Sequence, residues 1–116
     1  MPVDPKINRE DYCYVRTTGR VTGKPHEIEI WFALHGDTIY ILAGNGHDSD
    51  WVKNVKKQPS VPVRIAKKTY AGTARIVTAK REDALARKLL LAKYSPTNSD
   101  LDDWGRTALP VAIDLV

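Results

Sequence analysis

The chain has 116 residues, with 18 basic and 14 acidic side chains, a formal net charge of +4 and 42% hydrophobic residues. This length accommodates one domain with its own hydrophobic core, and the composition argues against a disordered chain. The single cysteine, Cys13, cannot form an internal disulfide, and no apolar run approaches the roughly 20 residues of a membrane span. We therefore expect a cytoplasmic protein, whose small positive charge permits an anionic ligand.

The first half of the chain is predicted to be mostly strand. An irregular arm over residues 1–11 precedes a domain over residues 12–116. Aromatic and β-branched residues, alternating polarity and glycine turns are the signals for the strands. The predicted strands are Tyr12–Thr18, His26–His35 and Thr38–Ala43.

The second half of the chain mixes helices and strands. Apolar residues at helical spacing predict two helices, with Ser49 and Thr78 as their N-caps. Pro62 predicts an edge position or a bulge for its strand. The predicted elements are a helix at Asp50–Lys57, strands at Val61–Ala66 and Thr69–Thr78, a helix at Lys80–Lys93, a polar loop at Ser95–Asp103 and a strand at Leu109–Leu115.

This order of elements, joined by hairpins, excludes a doubly wound parallel sheet. It predicts a mainly β (α+β) fold: a small antiparallel barrel of about six strands, with two to three helices across its openings.

Basic and hydroxyl side chains are concentrated in the turn after the first strand. Arg20, Thr22, Lys24 and His26 fall within seven residues of one hairpin. Charge and hydroxyl donation from such a turn suit a phosphate group. An exposed basic turn without a ligand explains the same composition equally well.

A glycine loop follows the third predicted strand and leads into a helix. Such a loop allows close backbone approach and presents free N–H groups, while an indole can pack on a planar ring. Trp51 could instead be a plain core anchor. The candidate residues of this loop are Ala43, Gly44, Asn45, Gly46, Ser49, Asp50 and Trp51.

Several other kinds of site are disfavoured. The three histidines and Cys13 do not stand at the spacing of metal ligands, so we expect no metal. No serine lies in a glycine-flanked elbow, and Gly44-Asn45-Gly46 lacks the third glycine of a dinucleotide fingerprint. The remaining possibility is a cofactor that brings its own chemistry.

Three blocks of sequence, in the right order and spacing, carry a resemblance to a known family. They are TTGRVTGKPHEIEIWF at 17–32, AGNG and SDWVKN within 43–54 followed by VPVRI at 61–65, and WGRTALPVAI at 104–113. With them the chain resembles the deazaflavin-dependent nitroreductases and quinone reductases, which have a split β-barrel fold and bind coenzyme F-420. The resemblance implies that the hairpin from Arg20 to His26 holds the phosphate and acidic tail of the cofactor. It also implies that Ala43 to Asp50, with Trp51, holds the deazaflavin ring.

The resemblance implies hydride transfer from reduced F-420 to a small electrophilic acceptor such as a quinone, an enone or a nitro compound. Solvent, His47 or Tyr94 could protonate the product. An FMN-binding split-barrel reductase or oxidase is the first alternative, and a non-enzymatic carrier of haem, a fatty acid or a similar ligand is the second. Nucleic-acid binding ranks last, because the aromatic residues mostly alternate inward. Assembly as a homodimer is a further expectation.

Overall fold

Seven antiparallel strands and three α-helices make up the computed structural model, which describes residues 3–115. The strands are β1 Cys13–Thr18, β2 Pro25–Ile30, β3 Ala33–His35, β4 Thr38–Ala43, β5 Ser60–Ile65, β6 Lys68–Ile76 and β7 Leu109–Leu115. The helices are α1 Asp50–Lys57, α2 Lys80–Tyr94 and α3 Asp102–Thr107, with 3-10 turns at Pro5–Arg9 and Gly46–Asp48. The predicted mainly β fold is confirmed.

The sheet is rolled so that its two edges come close together. Its strand order is β2-β1-β5-β6-β7-β4-β3, so β2 and β3 are the edges. The chain nevertheless passes from β2 to β3 through only Trp31 and Phe32. Three peptide steps span at most about 11 Å, so the edges cannot be farther apart than that where the chain crosses. The fold is therefore a barrel with a split between β2 and β3.

Both faces of the sheet make apolar contacts, the outer face where it meets α2. Alternation along β4 sends Ile39 and Ile41 to the barrel interior, and sends Tyr40 and Leu42 to the outer face. The interior set joins buried residues of five strands, namely Val15, Val63, Ala74 and Ile113 with the two isoleucines. The outer set packs against α2 through Ala86 and Leu90.

Three predictions about elements were wrong. The predicted strand His26–His35 is two strands, because pairing with β1 ends at Ile30 and pairing with β4 starts at Ala33. The six-residue helix α3 was not predicted: it begins at Asp102, near the end of the predicted loop Ser95–Asp103, and continues to Thr107, with its Gly105 packed on Leu91. Pro62 lies on an interior strand with a continuous register to β6, although the register with β1 stops at Val63.

The remaining differences are at element ends. The helix α2 begins at Lys80 with Ala79 at the cap position, so the predicted cap Thr78 is wrong. Ser49 does occupy the cap position of α1, but its side chain makes no capping hydrogen bond. The predicted arm contains a 3-10 turn, and the ends of the predicted arm and domain, residues 1–2 and 116, lie outside the described residues.

Candidate functional site

A cleft of about 690 Å³ lies between the turn after β1 and the start of α1. Edge strand β2 forms one wall, and the segment from the end of β4 into α1 forms the other. The structure thus brings together the two regions that the sequence marked as candidate sites. The lining residues are Thr17, Gly19, Arg20, Val21, Thr22, His26, Glu27, Ile28, Ile30, Ala43, Gly44, Asn45, Ser49, Asp50, Trp51 and Asn54.

Most of the predicted cofactor-binding residues line this cleft. Lys24 and Gly46 do not. Sequence reasoning also missed part of the lining: Thr17, Gly19, Val21, Glu27, Ile28, Ile30 and Asn54. The sequence does contain a signal for Asn54. It stands three residues after Trp51 and directly before Val55, so helical periodicity places this polar residue on the apolar face of α1.

The turn between β1 and β2 is closed by its own backbone. Gly19 N–H donates to the Lys24 carbonyl at 2.8 Å, and Gly23 N–H donates to the Gly19 carbonyl at 2.8 Å. A Cβ at position 19 would lie 2.9 Å from His26 Nε2 and 2.9 Å from Thr22 Oγ1. Only glycine therefore lets these two polar side chains close over the turn at the cleft.

Arg20 is held against α1 by side chain and backbone. Its Nη1 donates to Asn54 Oδ1 at 3.0 Å, and its Nη2 donates to Asp50 Oδ1 at 3.3 Å. Its own carbonyl accepts from Lys57 Nζ at 3.1 Å. The Asp50 side chain is 86% exposed, so the ion pair is weakly held, and an incoming anion can compete for the guanidinium.

The opposite wall offers backbone and apolar surface. A Cβ on Gly44 would meet no atom within 4 Å, so a ligand can approach the backbone there. Trp51 on this wall is half-buried, and so are Ile28 and Ile30 on the facing wall, β2. The cleft therefore has apolar side chains for a flat ring and a guanidinium for an anionic group.

The two weak candidates for a proton donor do not line the cleft. His47 is exposed, and its Nδ1 contacts Lys56 Nζ. Tyr94 is buried, and its hydroxyl accepts from Phe32 N–H at 3.0 Å and donates to the Asp11 carbonyl at 2.7 Å. Burial raises the pKa of Tyr94. This placement gives Tyr94 a structural role and does not support it as a proton donor.

Two further features bear on the kind of protein. No helix among residues 3–115 combines the length and apolarity that crossing a membrane requires. Within the same residues, no three His, Cys, Asp or Glu side chains are grouped in a way that could hold a metal ion.

The deciding comparison is with protein families. The chain matches the F420H(2)-dependent quinone reductase family over residues 3–115. It belongs to this family. The family's name states its cofactor, so the cofactor of this reductase is coenzyme F-420 in its reduced form.

Solved structures agree with this fold. An F420-H2 dependent reductase superimposes with a TM-score of 0.71 and 24% identity, covering 91% of this chain and 94% of that chain. A protein described as a domain-swapped dimer gives 0.72 and 24% identity, with 91% and 80% covered. A heme storage protein from Vibrio cholerae gives 0.72 and 13% identity, with 96% and 86% covered. At these identities the structures show the fold alone. That this protein assembles as a homodimer stays a prediction.

Proposed function

We propose that the cleft holds coenzyme F-420 and that the protein passes a hydride from its reduced form to a small electrophilic acceptor. Quinones, enones and nitro compounds are the acceptor classes. The observation that carries this proposal is the convergence of Arg20 and the Gly44–Trp51 segment on one cleft. The volume of about 690 Å³ lies in the range of cofactor sites, about 300 to 1,000 Å³.

The lining residues divide by chemistry into two groups. Arg20, Thr22 and His26 would hold the phosphate, because a guanidinium, a hydroxyl and an imidazole can all donate to its oxygens. Gly44 and Trp51 would hold the ring, with open backbone on one side and an indole face on the other.

Bound reduced F-420 supplies the hydride, so the protein needs no nucleophile of its own. The role of the protein is to orient the ring and to leave one face of the ring open to the acceptor. Ile28, Ile30 and Trp51 exclude water from the ring, while backbone N–H groups at the start of α1 can stabilise negative charge on it.

A pair of variants in one hairpin tests the proposal. We expect Arg20→Ala to weaken F-420 binding by about 1.5 to 3 kcal/mol, because a charge-assisted hydrogen bond to phosphate is lost. Lys24→Ala removes the same charge from the same turn, but Lys24 does not line the cleft, so affinity should stay within about threefold. Fluorescence titration of both variants with F-420 gives the answer.

Equal effects of the two substitutions would contradict the assignment of Arg20. The same titration with FMN decides between cofactors, since tighter binding of FMN would favour the flavin-dependent alternative. Oxidation of reduced F-420 is then followed with quinones, enones and nitro compounds. Tight binding without turnover on any of them would favour a carrier.

A further inference from the structure

Two buried polar side chains lie side by side at the wall of the cleft. Among the Ser, Thr, Asn, Gln, His and charged residues of 3–115, only Thr17 and Asn54 are buried, at 0% and 4% exposure. Asn54 Nδ2 donates to Thr17 Oγ1 at 3.2 Å. An amide is costly to bury unless it is hydrogen-bonded, so an asparagine on the apolar face of α1 requires a reason.

The Asn54 amide holds Arg20 at two points. Its Oδ1 accepts from the Arg20 backbone N–H at 3.2 Å and from Arg20 Nη1 at 3.0 Å. Both Arg20 groups are donors, so the oxygen of the amide must face them and the nitrogen must face Thr17. One side chain of α1 thus joins the end of β1 to both the main chain and the guanidinium of Arg20.

The other contacts of Arg20 are weaker, and its Nη1 donates to the Asp50 carbonyl only at a longer 3.4 Å. The ion pair to Asp50 involves a carboxylate that is 86% exposed, and such pairs contribute little to fixing a side chain. Lys57 contacts only the Arg20 carbonyl, at 3.1 Å. The buried amide is therefore the rigid attachment of the turn to the helix.

We propose that Asn54 is a positioning residue, which fixes Arg20 so that its guanidinium stays at the cleft to meet an anionic group of the ligand. The effect on affinity rests on the proposed function, whereas the fixing of Arg20 does not. An apolar residue would fill the site beside Trp51 and Val55 but would leave the Arg20 N–H without its acceptor.

Hydrogen exchange in the ligand-free protein tests the contact directly. Asn54→Leu keeps the size but removes the acceptor, so the Arg20 amide should exchange at least tenfold faster, while amides of β5 stay unchanged. Asn54→Asp keeps an acceptor towards Arg20 and should retain protection. Asn8→Leu is the matched control, because Asn8 Oδ1 also accepts from a backbone N–H, that of Leu34 at 2.9 Å, away from the cleft.

A double-mutant cycle with F-420 tests the consequence for binding. Asn54→Leu should weaken binding about tenfold when Arg20 is present and no more than twofold in the Arg20→Ala background, which a purely structural role would not produce. If Asn54→Leu does not fold, Asn54→Ala is used in its place.

The outcomes separate the two proposals. Unchanged exchange of the Arg20 amide in the Asn54 variant, or equal weakening in both backgrounds, would overturn the role of Asn54. Wild-type protein that binds no F-420 would end the proposed function, while the exchange measurement would still decide whether Asn54 fixes Arg20.

Discussion

Gly44 can be changed without disturbing the fold, which makes it a probe of the ligand. A Cβ at this position would meet no atom within 4 Å. Gly44→Ala should therefore alter the free energy of unfolding by less than about 0.5 kcal/mol. It should weaken F-420 binding about fivefold to tenfold, because in the proposed site the added methyl group would lie where the ring approaches the backbone. Urea denaturation and fluorescence titration measure the two effects, and unchanged affinity would place the ring elsewhere.

Tyr94 is expected to contribute to stability rather than to catalysis. Without its hydroxyl, the Phe32 N–H and the Asp11 carbonyl lose their partner. Tyr94→Phe should lower the free energy of unfolding by about 1 to 3 kcal/mol, because the buried Phe32 N–H is left unpaired. The rate of F-420 oxidation should not change, since Tyr94 does not line the cleft.

Tyr14→Phe is the control for this change. The Tyr14 hydroxyl donates to Glu29 at 2.6 Å on an exposed surface, so its loss should have a small effect. If Tyr94→Phe lowers the rate of F-420 oxidation and leaves stability unchanged, the result would support Tyr94 as a proton donor.

At the residue scale, composition could suggest candidate residues for binding a phosphate but could not distinguish between them. Arg20 and Lys24 look equivalent in the sequence, because both are basic residues of one glycine-rich turn. The structure separates them, since only Arg20 is tied to α1, through Asn54 and Asp50. These contacts join residues 34 and 30 positions apart, which no local pattern reveals.

Among the elements, β6, β7 and α2 meet at Arg75. Its Nε donates to Asp114 at 2.8 Å, and its Nη2 donates to Glu82 at 2.7 Å. These hydrogen bonds hold the pKa of Glu82 and the pKa of Asp114 below their usual values. The ionised carboxylates therefore stabilise the fold above about pH 4, and this contribution is lost as the pH falls towards the lowered pKa values.

Arg75→Met should lower the free energy of unfolding at pH 7 by about 1 to 2 kcal/mol, a moderate value because Arg75 and Asp114 are 42% and 46% exposed. The difference from wild type should shrink at pH 3, because the unfolded chain then binds protons at these carboxylates that the folded wild type resists, and the stability gained from the lowered pKa values is progressively lost. Urea denaturation at the two pH values measures it. Arg106→Met is the control, since its pair with Asp103 is 75% and 82% exposed. A difference that persists at pH 3 would contradict the role of the carboxylates.

Elements with a strong local signal could be predicted, and those set by distant partners could not. The alternation of His26–His35 runs in phase through the split, because Ile28, Ile30, Phe32 and Leu34 all reach the interior core. Periodicity therefore cannot show that the segment changes partner strand. The helix α3 was missed because glycine disfavours helices, while here the missing Cβ makes room for Leu91, 2.8 Å from the Cβ position.

For the whole molecule, the split in the barrel is covered by the end of α2. Backbone groups that leave a sheet need other hydrogen-bond partners. Phe32 N–H donates to the Tyr94 hydroxyl, and the Phe32 carbonyl accepts from Lys93 Nζ at 2.8 Å. Trp31 stacks on the Tyr94 ring, with centroids 4.3 Å apart. Lys93 also donates to the Glu10 carbonyl at 2.8 Å, which attaches the N-terminal segment to the same point.

The contribution of Lys93 to stability at the split should depend on pH. Burial lowers the pKa of Lys93 to about 8, although nearby Cys13, Asp11 and Glu10 act in the opposite direction. In the unfolded chain the pKa of a lysine is about 10.4, so between these values the unfolded state binds more protons. Wild-type stability relative to Lys93→Met should therefore rise by about 1 to 3 kcal/mol from pH 7 to pH 10.

Chemical denaturation of both proteins at the two pH values measures this change. Lys88→Met is the matched control for the loss of a lysine, because Lys88 is exposed on the same helix. If the difference in free energy of unfolding from wild type rises with pH only for Lys93→Met, the Lys93 ammonium is the group that is costly to bury. A flat difference would mean that burial does not lower the pKa of Lys93, and a falling difference would mean that the folded state favours the ammonium; either result would contradict the cost assigned to burying it.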